Sequence, residues 1–216
     1  MVERPILFNG DMVRAILSGR KTQTRRVIRR TKCIGWLIEP GWSDEYVQHP
    51  GNHLIECCPY GSPGDRLWVR ETWATVWPDI DREYALEECD LEYRADLPPG
   101  CTDYPGGWPA GEARGNPDAP KWKPSIHMPR WASRISLDVT GVRIERVQGI
   151  SKRDAIAEGI RWSEAFPEGY VRPGLYHGFG SAQQAFQSLW DDINAKRGYS
   201  WQSNPWVWVI EFRARA

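Results

Sequence analysis

The chain has 216 residues, a size at which one domain can bury a core without help from disulfides or metal. Apolar residues make up 41% and charged residues 26%, ordinary globular usage that argues against wholesale disorder. The 28 Lys and Arg are offset by 28 Asp and Glu, so no general field draws the chain to nucleic acid, and any such contact has to come from a local patch. No apolar run is long enough for a membrane span, and Met1-Val2-Glu3-Arg4-Pro5 lacks the apolar core of a secretory signal. Five scattered cysteines form no even disulfide framework, so a cytoplasmic protein with reduced thiols and no membrane partner is expected. The composition departs from the ordinary only in its 13 Trp, rings suited to core and rim packing or to stacking on a planar ligand.

Arg4 to Phe8 reads as a short strand, and Asn9-Gly10-Asp11 as a turn and cap into a helix carrying Met12, Val13, Ala15, Ile16 and Leu17. Gly19 stands where a helix end takes a left-handed residue, which leaves Lys21 to Ile28 as extended chain. Residues 31–64 lose periodicity, an insertion expected to hold a hairpin before Pro63-Gly64-Asp65 turns the chain. Arg66 to Trp73 reads as one strand with Glu71 among apolar neighbours, and residues 76–125, rich in Pro, Gly and acids, read as a second insertion or lid. Ile135 to Val147 alternates as a long strand bent at Gly141. Ser151 caps a helix running to Ile160, Ala182 to Ala195 forms another, and Trp206 to Phe212 closes the chain as a strand.

No phosphate loop, dinucleotide fingerprint, zinc helix or nucleophile elbow is present. What stands out is Gly19-Arg20-Lys21-Thr22-Gln23-Thr24-Arg25-Arg26, inside a span from Arg14 to Lys32 that holds eight Lys or Arg and no acid. The bland interpretation is a solvated basic strip facing water or phosphate. The chemical one is that a lysine crowded by arginines and desolvated gives up its proton easily, so that Lys21 can activate the Thr24 hydroxyl for attack on an acyl carbon. A carboxylate is wanted beside them, with Glu158 and Glu71 as candidates. Cys33, His49, His53, Cys57 and Cys58 supply a zinc alternative at spacings that fit no common finger. His127 is expected to be packed or hydrogen-bonded, and its neighbour Arg130 to be available to phosphate.

These residues resemble the ASCH family, whose G-x-K-x-x-E-x-R signature follows a short helix: Gly19, Lys21 and Arg26 match, with Thr24 at the usual Glu position. Family members with that Thr are similar to small bacterial amidohydrolases that remove the acetyl group from N(4)-acetylcytidine with a Lys, a Thr and a Glu. Their Glu ends the helix after the long strand, the place that Glu158 occupies in Asp154-Ala155-Ile156-Ala157-Glu158-Gly159. Cys58-Pro59-Tyr60-Gly61, Gly64 to Trp73 and Ile126 to Trp131 resemble the longer ASCH proteins encoded by phages and prophages. The resemblance implies an α+β fold, one PUA-like (ASCH) β-barrel domain over residues 1–216 with two or three flanking helices and insertions at about 31–64 and 76–125. It implies Lys21 as base, Thr24 as nucleophile and Glu158 as proton carrier or orienter. Arg26, Glu71 and Arg70 are then pocket polar groups, Trp68 and Trp131 (with Trp73) stacking faces, and the partner is a modified cytosine nucleoside. No metal or other cofactor is called for on this route. A non-catalytic RNA-binding module and a ribonuclease using the same basic cleft are the alternatives.

Overall fold

The computed structural model describes residues 1–29, 43–49, 53–76, 89–167, 169–175 and 177–215. In chain order these form β1 (Glu3–Leu7), α1 (Gly10–Leu17), β2 (Gln23–Val27), α2 (Asp44–Gln48), β3 (Arg66–Arg70), β4 (Trp73–Val76) and β5 (Asp90–Tyr93). There follow α3 (Ala110–Ala113), β6 (Ser136–Arg146), α4 (Lys152–Ala157), β7 (Arg161–Trp162), β8 (Tyr170–Val171), α5 (Ala182–Asn194) and β9 (Trp206–Ala214), with several 3-10 turns between. The fold is α+β, and its main sheet has five strands in the order β1-β3-β6-β9-β2. All neighbours are antiparallel except β1 and β3.

β1 and β2 are the two edges of this sheet although only α1 separates them in sequence. In a flat sheet four strand spacings of about 4.8 Å would hold the edges roughly 19 Å apart. Yet the Arg26 guanidinium of β2 donates to the Leu7 carbonyl at the end of β1 and lies 5.0 Å from the centroid of the Phe8 ring. The sheet is therefore curled until its edges nearly meet, and side chains bridge the gap. The expected barrel is corrected to this extent: among the described residues the sheet stays open between β1 and β2.

Apolar side chains of the inner face, among them Ile6, Leu67, Val69, Leu137, Val139 and Ile210, form one core with Val13 and Ile16 of α1 and with Phe186, Leu189 and Trp190 of α5. Asn9 caps α1 through Oδ1 to the Met12 amide at 2.9 Å, and Gly19 takes φ +70° just past its end. The Arg20 and Lys21 amides both donate to the Ala15 carbonyl at 2.9 Å, so this turn sets the direction in which β2 departs. β6 is the long strand expected, and its pairing with β9 shifts register between Val139 and Gly141, a bulge at the anticipated bend.

The single strand expected over Arg66–Trp73 is two strands. β3 stays in the main sheet, the chain breaks at Glu71 and Thr72, and β4 pairs instead with β5. The break coincides with Glu71 turning inward to an arginine, an interaction that alternation alone does not encode. The described part of the second insertion is ordered by that β4–β5 hairpin and by Trp73, Met128 and Ala132, which form a small separate apolar cluster. In the first insertion the described residues hold α2 and a 3-10 turn at Leu54–Cys57, with no strand among them; any hairpin there would lie outside the described residues. α4 ends earlier than expected, with Glu158 as its C-cap and Gly159 at φ +103°.

Gly159 at φ +103° lies further from the left-handed well than Gly19 at +70°, while an added Cβ would meet only ordinary contacts, 3.4 Å from Ala15 Cβ and 3.7 Å from Lys21 Cβ. Gly19 is constrained by conformation alone, with open space where a Cβ would lie. We therefore expect Gly19→Ala to cost about 1 kcal/mol in chemical denaturation and Gly159→Ala to cost more.

Candidate functional site

The two segments that carry the candidate residues meet where α1 turns into β2 and α4 ends. Ser151 and Asp154 form a reciprocal capping box that fixes the start of α4, and the helix then delivers Glu158 at its C-cap. Lys21 lies outside β2 and makes an isolated antiparallel bridge with Glu158, while the Thr22 amide donates to the Ala157 carbonyl at 2.9 Å. Backbone pairing thus places the two side chains before any charge attraction acts. Lys21 Nζ donates to Glu158 Oε2 at 2.7 Å and to the Glu158 carbonyl at 3.0 Å.

Both partners are about 2% exposed. The Lys21 amine is held below the ordinary lysine value, first by burial, with Arg26 and Arg25 pushing the same way and Glu158 opposing. Arg25 takes the other carboxylate oxygen, its Nη1 lying 3.3 Å from Glu158 Oε1, and it reaches Glu145 at 2.8 Å and Asp154 at 3.6 Å. Arg143 extends this network to Asp154, Glu145 and Glu211. Glu158 is thereby gripped by an amine on one oxygen and a guanidinium on the other.

A cleft of about 670 Å³ opens beside this pair, in the gap between the sheet edges, and of the two only Glu158 lines it. Phe8 lines it from the end of β1, Thr24 and Arg26 from β2, Glu158 from the end of α4, and Trp190 from α5. Lys21 and Thr24 are three positions apart, a separation that would put them on opposite faces of a regular strand. β2 begins only at Gln23, and Glu158 joins the two residues: its carboxylate bonds Lys21 and lines the same cleft as Thr24. The Phe8 ring centroid lies 5.8 Å from Lys21 Nζ and helps to shield the amine.

The remaining candidates lie elsewhere. Glu71 is buried in a separate cluster, with its two oxygens 3.0 and 3.1 Å from Arg134, which also holds Asp96. Burial raises the Glu71 carboxyl and Arg134 opposes that rise. Arg70 donates to the Ile126 carbonyl at the cleft wall, and its guanidinium lies 5.5 Å from the Trp68 ring centroid. Trp68 is outside the lining of the cleft, as is Trp131, which is half exposed and set edge-on to Trp73 at 5.8 Å. The aromatic faces that do line it are Phe8, Tyr60, Phe186, Trp190, Tyr199 and Trp208. In the sequence Phe186 and Trp190 read as a core helix stripe, and nothing local marks Tyr60 or Tyr199. Arg25 had a signal, because Lys21, Gln23 and Arg25 share strand parity.

His127 is exposed rather than packed, and Arg130 is paired with Glu3 at 3.1 Å. Among the described residues no three His, Cys, Asp or Glu side chains converge to hold a metal ion; Cys33 lies outside them. Burial pushes the Cys58 thiol up to about 11, which makes it a poor nucleophile. No helix among the described residues is long and apolar enough to cross a membrane. Comparison with protein-family models, with curated proteins and with solved structures gives no match.

Removing one member of a buried ion pair leaves the other uncompensated, so Glu158→Ala should lose about 3–5 kcal/mol in denaturation, with Lys21→Met/Glu158→Leu recovering much of the loss. A lysine whose folded value is lowered binds fewer protons in the folded than in the unfolded chain between the two values. Stability from Lys21 must therefore rise with pH through that alkaline window. The difference in unfolding free energy between wild type and Lys21→Met should show this slope.

Proposed function

We propose that the chain is a PUA-like domain of the ASCH type and an amidohydrolase that removes the N(4)-acyl group from an N(4)-acetylcytidine-type nucleoside. The observation that carries this reading is the bond between Lys21 Nζ and Glu158 Oε2, 137 positions apart in sequence, beneath a cleft that Thr24 also lines. Charge on the Lys21 amine is costly at that depth, and in the proposed reaction its proton passes to the Glu158 carboxylate before the hydroxyl is activated.

The neutral Lys21 amine takes the hydroxyl proton as Thr24 Oγ1 bonds to the acyl carbon. Arg26, which also lines the cleft, donates to the oxyanion that develops. When the C–N bond breaks, Glu158 gives its proton to the departing cytosine amine, and Thr24 is left as an ester. A water then loses its proton to the Glu158 carboxylate and attacks the ester, and the Thr24 oxygen leaves with the proton held on Lys21. Both groups return to their starting states, and the rings of Tyr60 and Trp190 offer flat faces to the pyrimidine.

The competing reading of a basic strip for RNA is weakened by where its cations lie. Lys21 and Arg25 are buried and paired, and Arg14 is bound to Asp11 and to the Ala95 carbonyl. Purified protein should convert N(4)-acetylcytidine to cytidine and acetate. Thr24→Ala should lower the rate at least about 100-fold, with Thr24→Ser keeping part of it. Absence of cytidine with folded wild type, or undiminished turnover by Thr24→Ala, would overturn the assignment, and salt-dependent RNA binding without hydrolysis would favour the binding module.

A further inference from the structure

The cleft is far more positive than the chain as a whole. Its lining holds four arginines, Arg25, Arg26, Arg29 and Arg197, and a single carboxylate, Glu158, in a protein whose formal net charge is zero. Arg25 and Glu158 satisfy each other. The other three guanidinium groups have no carboxylate within ion-pair distance among the described residues, and neither Arg29 nor Arg197 makes a side-chain hydrogen bond there. Arginines without a carboxylate partner among the described residues occur elsewhere too, Arg20, Arg70 and Arg161 among them; what sets Arg29 and Arg197 apart is that both line one cleft of about 670 Å³. Burial holds Arg26 below the ordinary arginine value, Tyr60 and Glu158 favour its charged form, and Arg197 is near enough to act on it as a like charge. Holding like charges together without a counter-anion costs free energy that a bound anion would recover. Arg197 lines the cleft from the turn after α5, and Arg29 lines it from just beyond β2, so two separate elements contribute these cations.

We propose that Arg29 and Arg197 form a phosphate subsite, and that the substrate accepted by this cleft is a nucleoside monophosphate rather than a neutral nucleoside. The inference deepens the amidohydrolase reading and rests on it for the identity of the base. An uncharged nucleoside has no group that would use two unpaired guanidinium ions, whereas a phosphomonoester offers oxygens for forked donation. A cleft of about 670 Å³ matches the size of a single nucleotide rather than a continuous strand.

Two measurements test this. In calorimetry, cytidine 5′-monophosphate should bind at least about tenfold more tightly than cytidine, with an advantage that shrinks as salt rises. In hydrolysis, N(4)-acetylcytidine 5′-monophosphate should exceed N(4)-acetylcytidine in kcat/KM by a similar factor, and Arg197→Ala should reduce that preference chiefly through KM, with Arg197→Lys restoring part of it. Equal binding of nucleotide and nucleoside, or a preference untouched by Arg197→Ala and Arg29→Ala together, would overturn the subsite. A cytidine-containing oligonucleotide bound about tenfold more tightly than the monophosphate would overturn it in favour of a strand-binding cleft. Selective nucleotide binding with no deacylation of any substrate would sink the amidohydrolase reading and leave the anion site standing.

Discussion

A buried amine held against a buried carboxylate is the interaction on which this architecture turns. Water would solvate Lys21 and Glu158 far better than the protein does, and the pair survives only because the bridge between their backbones and the second clamp from Arg25 leave neither charge alone. The same contact joins the end of α4 to the start of β2, so it fixes both a helix terminus and a sheet edge. A pair of this kind is weak evidence for stability, since well-packed apolar residues would serve as well. The proposed chemistry uses it, because burial that disfavours the charged amine also makes its proton easier to move.

The topology explains why the cleft lies where it does. Consecutive strands β1 and β2 occupy opposite edges of the sheet, and curling brings those edges close without joining their backbones. Edge strands carry unpaired backbone groups and have to be covered or filled. Here the Arg26 guanidinium spans the gap, Phe8 packs under it, and the remaining opening becomes a polar-floored pocket walled by α5. The two insertions complete the wall of this seam through Pro59, Tyr60 and Ser125.

Much of the framework was legible in the sequence because it rests on local rules. The capped helix after β1, the left-handed Gly19, the bulged β6 and the Ser151 cap each follow from residue types at fixed spacings. The nearness of Lys21 to Glu158 came from a resemblance, and no periodicity encodes a contact across 137 positions. Alternation failed at Glu71, where an arginine 63 positions away pulls the chain out of the strand. It was equally silent on Arg197 and Tyr199, whose place at the cleft depends on how α5 packs against the curled sheet. The β7–β8 hairpin was missed because two-residue strands carry no period at all.

The account stands or falls on the state of one nitrogen. Isotopic labelling of lysine side chains and an NMR titration of the Lys21 Nζ would read it directly, separately from the other lysines. The titration should fall below the ordinary lysine value in wild type and lower still in Glu158→Gln, since Glu158 is the group that favours the charged form. A Lys21 that titrates with the solvated lysines and ignores the Glu158 substitution would contradict it.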